Sequence, residues 1–200
     1  LESPLVTGSQ YNFIKENFDA FEEVFTFDSE LLKLSDKFTF VPLGGCWVDP
    51  DDRLVHKKTK DISIIASGKN ALPGHKLRHS IVTRFSNIDV FGREYNPIEK
   101  KISGLKEYRF HIVVENCRQD YYFSEKIVDC FVTGTVPIYW GCPSIGDFFD
   151  LGGILTFNDL EGLENILSDV TEETYSNMLD SINNNFIKSQ DFIVADDIVY

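Results

Sequence analysis

Ser124, Glu125 and Lys126 place a hydroxyl, a carboxylate and an ammonium side by side, directly ahead of apolar residues (Ile127, Val128, Phe131, Val132) that recur at helical spacing. The first N–H groups of a helix have no internal partner and its dipole end is positive. A phosphate can settle there, with Lys126 adding a full charge. The dipole contributes only about 0.3–1 kcal/mol at an exposed terminus, so the lysine matters more. Glu125 repels phosphate and suits a ribose diol. The same three residues also make an ordinary helix start, with Ser124 as N-cap and Glu125 favoured by the dipole. Spacing alone leaves both readings open.

Other residues with chemical capacity gather in two stretches. Lys69, His75, Lys76 and Arg78 follow the apolar run at residues 62–66 (ISIIA), and Glu115, Asn116 and Tyr122 follow the run at 110–114 (FHIVV). Both stretches are rich in phosphate and ribose partners. His75 and His79 have the i, i+4 spacing of a helical metal pair but lack the acidic neighbour of an H-E-x-x-H motif, so no metal site is expected. Asp49, Pro50, Asp51 and Asp52 form a D-x-D triplet, which would suit a metal-dependent transferase; Pro50 favours a plain turn. Cys46, Cys117, Cys130 and Cys142 show no C-x-x-C pair and are read as reduced packing residues, which points to a cytoplasmic, bacterial-like reduced compartment.

The elements that must position these groups follow from alternating periodicities. Apolar runs at 62–66, 88–91, 110–114, 136–140 and 153–157 read as strands, many of them apolar on both faces. Helical spacing joins Leu77, Ile81, Val82 and Phe85, then Ile127 to Val132 with Gly134 as the stop, then two amphipathic helices after residue 158. This alternation predicts an α/β fold with a doubly wound parallel sheet over residues 60–200. Residues 1–59 have less regular punctuation and are expected to be the tail of a preceding domain plus a linker. In such sheets ligands bind beyond the carboxyl ends of the strands, where both chemically rich stretches fall.

The formal charge of −13 argues against a nucleic-acid partner. The charge is uneven: residues 53–109 hold 13 Lys and Arg against 5 Asp and Glu. One basic segment in an acidic chain fits either a solvated face or a pocket for a small anion. No apolar stretch approaches the roughly 20 residues of a membrane helix, and the opening residues do not have the charged, apolar, small-residue order of a leader. The chain opens at Leu1 and its only methionine is Met178, so the natural amino terminus is expected to be missing.

The residues from Phe110 to Asn116 (FHIVVEN), then Tyr122, Phe123, Ser124, Glu125 and Lys126 (YFSEK), then Gly134 to Gly141 (GTVPIYWG) together resemble the hallmark segment of family 10 fucosyltransferases. That segment comprises an F-x-x-x-E-N strand end, a Y-x-T/S-E-K helix start and a G-x-V/I-P strand leading to a glycine. Upstream, residues 62–67, Lys76 to Arg78, and residues 88–93 (IDVFGR) resemble the family's first strand, its arginine-bearing helix and its V-D-V-F/Y-G-R strand, with Ser67-Gly68 where Ser-Asn is usual. Leu1, Glu2, Ser3 and Pro4 resemble an acceptor-side E-S-P segment near the family's general base.

The resemblance implies the Rossmann-like half of a GT-B-type, inverting glycosyltransferase that transfers fucose from GDP-fucose to a glycan hydroxyl, with no metal or other cofactor. It implies donor binding by Asn116, Tyr122, Glu125, Lys126 and either Lys76 or Arg78, the latter preferred for its fork of donors. Glu2 is the implied catalytic carboxylate. The alternatives are a nucleotide-sugar-binding module without catalysis, and a metal-dependent transferase with another donor. Removal of the Lys126 charge is expected to weaken GDP binding with little effect on stability.

Overall fold

The structure is a computed structural model and describes residues 4–194. The chain opens with α1 (Pro4–Asn17), bent at Thr7. A separate small sheet follows, formed by two parallel strands, β1 (Val24–Thr26) and β2 (Phe38–Phe40). Tyr11, Val24, Leu31 and Phe38 bury one another between these elements.

The larger body runs through β3 (Lys60–Ile65), α2 (Pro73–Arg84), β4 (Asp89–Phe91), β5 (Tyr108–Val114), α3 (Glu125–Phe131), β6 (Val136–Trp140), β7 (Leu155–Thr156), α4 (Leu160–Asp169), α5 (Glu172–Asn177) and α6 (Leu179–Ser189). Its five strands pair in parallel in the order β4-β3-β5-β6-β7. This is the α/β parallel sheet that the alternation of runs predicts. The last predicted helix is two: Met178, at φ −97° and ψ 1°, leaves helical geometry between α5 and α6. Among the described residues no helix is long and apolar enough to cross a membrane.

β5 lies at the centre and is buried along its whole length. Its side chains alternate between faces. Phe110, Ile112 and Val114 pack with Ile81 of α2 and Leu163 of α4, while Val113 packs with Ile127 and Phe131 of α3. Each such side chain contributes about 1.5–3 kcal/mol on burial. His111 shares the α3 face and is accommodated by Ser63, its partner in register on β3. Ser63 Oγ donates to the Gly104 carbonyl at 2.6 Å and lies 2.7 Å from His111 Nδ1. Burial pushes the imidazole down to about 3, so it stays neutral.

The chain steps outward from β3 through α2 to β4, then crosses back to lay β5 on the other side of β3. The loops after β3 and β5 therefore part, and a crevice opens between their carboxyl ends. Two helix starts face it. Pro73 at the head of α2 gives up no hydrogen bond in the first turn. Gly74 brings that turn against β5: its N–H donates to the Asn116 carbonyl at 3.1 Å, and a Cβ there would lie 1.7 Å from the Glu115 carbonyl oxygen. α3 begins at Ser124, whose Oγ accepts from the Lys126 N–H, and the chain turns at Gly134 with φ 67°.

Candidate functional site

The crevice at the strand crossover is a cleft of about 440 Å³, with an adjoining recess of about 160 Å³. Arg78, Glu125, Lys126 and Trp47 border both. Asn116 and Ser124 line the larger space, and Ile65, Leu105 and Val113 give the recess an apolar lining beside His111. An apolar slot opening into a basic, hydrogen-bonding cleft can take a flat base on one side and a phosphate chain on the other.

The start of α3 is built around Glu115, a carboxylate with no solvent exposure. Its Oε1 accepts from the Ser124 N–H at 3.0 Å, and its Oε2 accepts from Ser124 Oγ at 2.7 Å and Lys126 Nζ at 3.2 Å. Lys126 also donates to Ser124 Oγ at 2.8 Å and lies 3.7 Å from Glu125 Oε1. Burial works against the ammonium, but Glu115 and Glu125 outweigh it and raise its pKa. For Glu125 burial works against the charge and Lys126 and Lys101 outweigh it, so its pKa is lowered. Both groups are ionised at neutral pH. Glu115 stands in the sequence as the E of the E-N pair, and its burial at the end of the central strand is what makes it an anchor for the helix start.

Arg78 reaches the cleft from the second turn of α2. Its Nε donates to the Gly74 carbonyl at 3.2 Å and its Nη2 to Asn116 Oδ1 at 3.2 Å. The residue is 9% exposed, yet among the described residues no carboxylate forms an ion pair with it. Burial lowers its pKa, with Glu115 working in the opposite direction. His75 reports the same field: burial and the charges of Arg78, Lys69 and Lys126 lower its pKa, and its Nδ1 accepts from the Leu72 N–H. An uncompensated guanidinium in a concave wall is an anion site.

A third side of the cleft comes from the chain before the sheet. Gly44 bridges to Ser124, and the Trp47 N–H donates to Asp129 Oδ1 at 2.6 Å, so this segment is fastened along α3. Lys101, in the 3-10 turn Lys101–Gly104, reaches Asp129 Oδ2 at 2.8 Å and Glu125 Oε1 at 3.3 Å, with its Nζ 4.2 Å from the centre of the Trp47 ring. Spacing could not reveal these residues, which meet only through the fold. The i, i+4 relation of Glu125 and Asp129 was the one available signal that both carboxylates share a helix face.

The structure thus brings Arg78, Asn116, Glu125 and Lys126 to one cleft. Lys76 is exposed on the outer side of α2 and does not border it. Tyr122 is fully buried with its ring 5.3 Å from that of Phe27, and it belongs to a packed group with Cys117 beneath the loop rather than to the cleft lining. Glu2 lies outside the described residues. Asp49 pairs with Lys100 at 2.7 Å at the head of the 3-10 turn Pro50–Asp52. His79 turns to Tyr95 and the Lys69 carbonyl. Among the described residues Cys46, Cys117, Cys130 and Cys142 form no disulfide.

The sequence profile of glycosyltransferase family 10 (fucosyltransferase), C-terminal part, matches residues 55–171, more than half of the chain. The chain belongs to glycosyltransferase family 10. This family 10 chain is 33% identical over 70 residues to the alpha-(1,3)-fucosyltransferase FucT of Helicobacter pylori, an alignment covering 35% of the chain and 14% of that protein. A solved alpha1,3-fucosyltransferase with GDP-fucose superposes with a TM-score of 0.50 at 26% identity, over 69% of this chain and 40% of the other. Another, with GDP, has a TM-score of 0.61 at 20% identity over 88% and 69%, and shares the fold. The chain spans less than half the length of the first two of these relatives.

Proposed function

We propose that this chain supplies the donor-binding part of an inverting fucosyltransferase that takes GDP-fucose and passes the sugar to a glycan hydroxyl. The observation that carries the reading is the buried Arg78 guanidinium, without a carboxylate ion pair among the described residues, in one cleft with Asn116, Glu125 and Lys126. Family membership and the GDP-fucose and GDP of the two similar fucosyltransferases support the choice of donor.

In this reading the diphosphate lies between Arg78 and Lys126, and the Glu125 carboxylate accepts from the ribose diol. The acceptor oxygen attacks the anomeric carbon from the side opposite the diphosphate. The bond from that carbon to the phosphate oxygen breaks with inversion, and the acceptor proton passes to a carboxylate, for which Glu2 is the candidate. Negative charge grows on the departing diphosphate. Arg78 and Lys126 therefore stabilise the transition state more than the bound donor. Both cations are part of the chain itself, and the reaction is proposed to need no metal.

Calorimetry against a panel of nucleotides and nucleotide sugars tests the reading. GDP and GDP-fucose should bind, and chelator should leave that binding unchanged. Preference for UDP-sugars, or no binding, overturns the choice of donor; loss of binding with chelator favours the metal-dependent alternative.

A further inference from the structure

We propose that Lys101 is a positioning residue for the donor site, one that fixes the aim of the Glu125 carboxylate. Its ammonium is shared between Glu125 Oε1 at 3.3 Å and Asp129 Oδ2 at 2.8 Å, in a setting where the three side chains are 21%, 17% and 2% exposed. Trp47 closes the outer side, with its ring centre 4.2 Å from Nζ. Asp129 is itself held by the Trp47 N–H at 2.6 Å, so Lys101 is tethered on a fixed carboxylate rather than swinging in solvent. Lys126, the other cation near Glu125, reaches the same oxygen at 3.7 Å. Two ammonium groups on Oε1 set the rotation of the carboxylate and turn Oε2 to a ligand's hydroxyls.

The arrangement divides the labour between two lysines: Lys126 serves the phosphates, and Lys101 serves the nucleoside through Glu125. The inference rests on the reading of Glu125 as the ribose acceptor. Lys101 itself is not required to touch the ligand.

A double-mutant cycle read with guanosine and with pyrophosphate tests it. Lys101→Met should weaken guanosine binding by roughly three- to tenfold, Lys101→Arg should recover most of that loss, and pyrophosphate binding should change far less. In the Glu125→Gln background, Lys101→Met should have no further effect on guanosine. Lys101→Gln serves the same cycle if the Met variant does not fold. An equal loss in both backgrounds, an equal loss for guanosine and pyrophosphate, or no loss where Glu125→Gln alone weakens guanosine overturns the proposal. If Glu125→Gln leaves guanosine binding unchanged, the ribose reading itself fails.

Discussion

Lys126 Nζ lies 3.2 Å from Oε2 of Glu115, a carboxylate sealed completely from solvent. The lysine that the helix start offers to a phosphate is therefore also the counter-ion of a buried anion, and its removal has two consequences instead of one.

Lys126→Ala should lower GDP affinity at least about tenfold, the loss of a charge-assisted bond of roughly 1.5–3 kcal/mol. It should also destabilise the fold, contrary to the expectation from sequence. Breaking a buried pair typically costs about 3–5 kcal/mol, and the two Ser124 donors that remain on Glu115 should hold the cost to about 2–3 kcal/mol. Pairing Lys126→Met with Glu115→Gln should restore urea stability without restoring GDP affinity. Recovery of both together would mean that Lys126 has no direct part in binding.

Arg78 makes the opposite case. With no carboxylate partner among the described residues, its buried charge opposes folding. Arg78→Met should keep or raise the thermal midpoint while pyrophosphate affinity falls about tenfold or more. A variant that loses stability but binds pyrophosphate normally would make Arg78 a structural residue.

Gly74→Ala should damage the site from a position that carries no chemistry. The added methyl would meet the Glu115 carbonyl at 1.7 Å, a backbone atom that cannot step aside without moving β5. Overpacking of this kind costs about 1–3 kcal/mol or more. Urea unfolding and GDP calorimetry should both register it, because Arg78 rides on α2 and Glu115, the anchor of Lys126, closes β5, the two elements forced apart. Unchanged stability would show that the two can separate freely.

Lys58 sits at the far end of α3, where Nζ reaches the Thr133 carbonyl and Thr135 Oγ1 at 2.8 Å each, with the Lys106 and Leu105 carbonyls at 3.3 and 3.4 Å. Burial pulls its pKa down to about 7, with a smaller opposing effect from Cys130, against 10.5 for an ordinary lysine. Between those values the unfolded chain holds the extra proton, so the lysine's contribution to stability rises with pH across that window. The stability of the parent relative to Lys58→Met should climb from about pH 7 towards 10.5 in urea titrations. A constant difference would mean that the ammonium keeps its proton in the fold.

The strands were legible because a central parallel sheet demands side chains that are apolar on both faces, and residues 110–114 and 136–140 announce this without ambiguity. The start of α3 was legible for its charges but not for its anchor, since nothing in a linear pattern says that Glu115 turns inward. Lys76 and Arg78 could have been separated earlier: residues two apart on a helix point to nearly opposite sides, so only one can face a given cleft. A tyrosine can serve as a polar contact or as packing, and the packing of Tyr122 on Phe27, distant in sequence, had no linear signal. Lys101 and Trp47 left no trace, for their meeting depends on a loop and a preceding segment converging on one helix.

The bridge from Gly44 to Ser124 and the bond from Trp47 to Asp129 alter where this molecule can be cut. A boundary drawn just before β3 follows the punctuation of the sequence and keeps every strand of the main sheet. It also discards Leu43 and Trp47, and with them one wall of the cleft. Architecture and binding surface thus have different edges along the chain, and a fragment trimmed to the first would expose the start of α3 on the side that the second keeps covered.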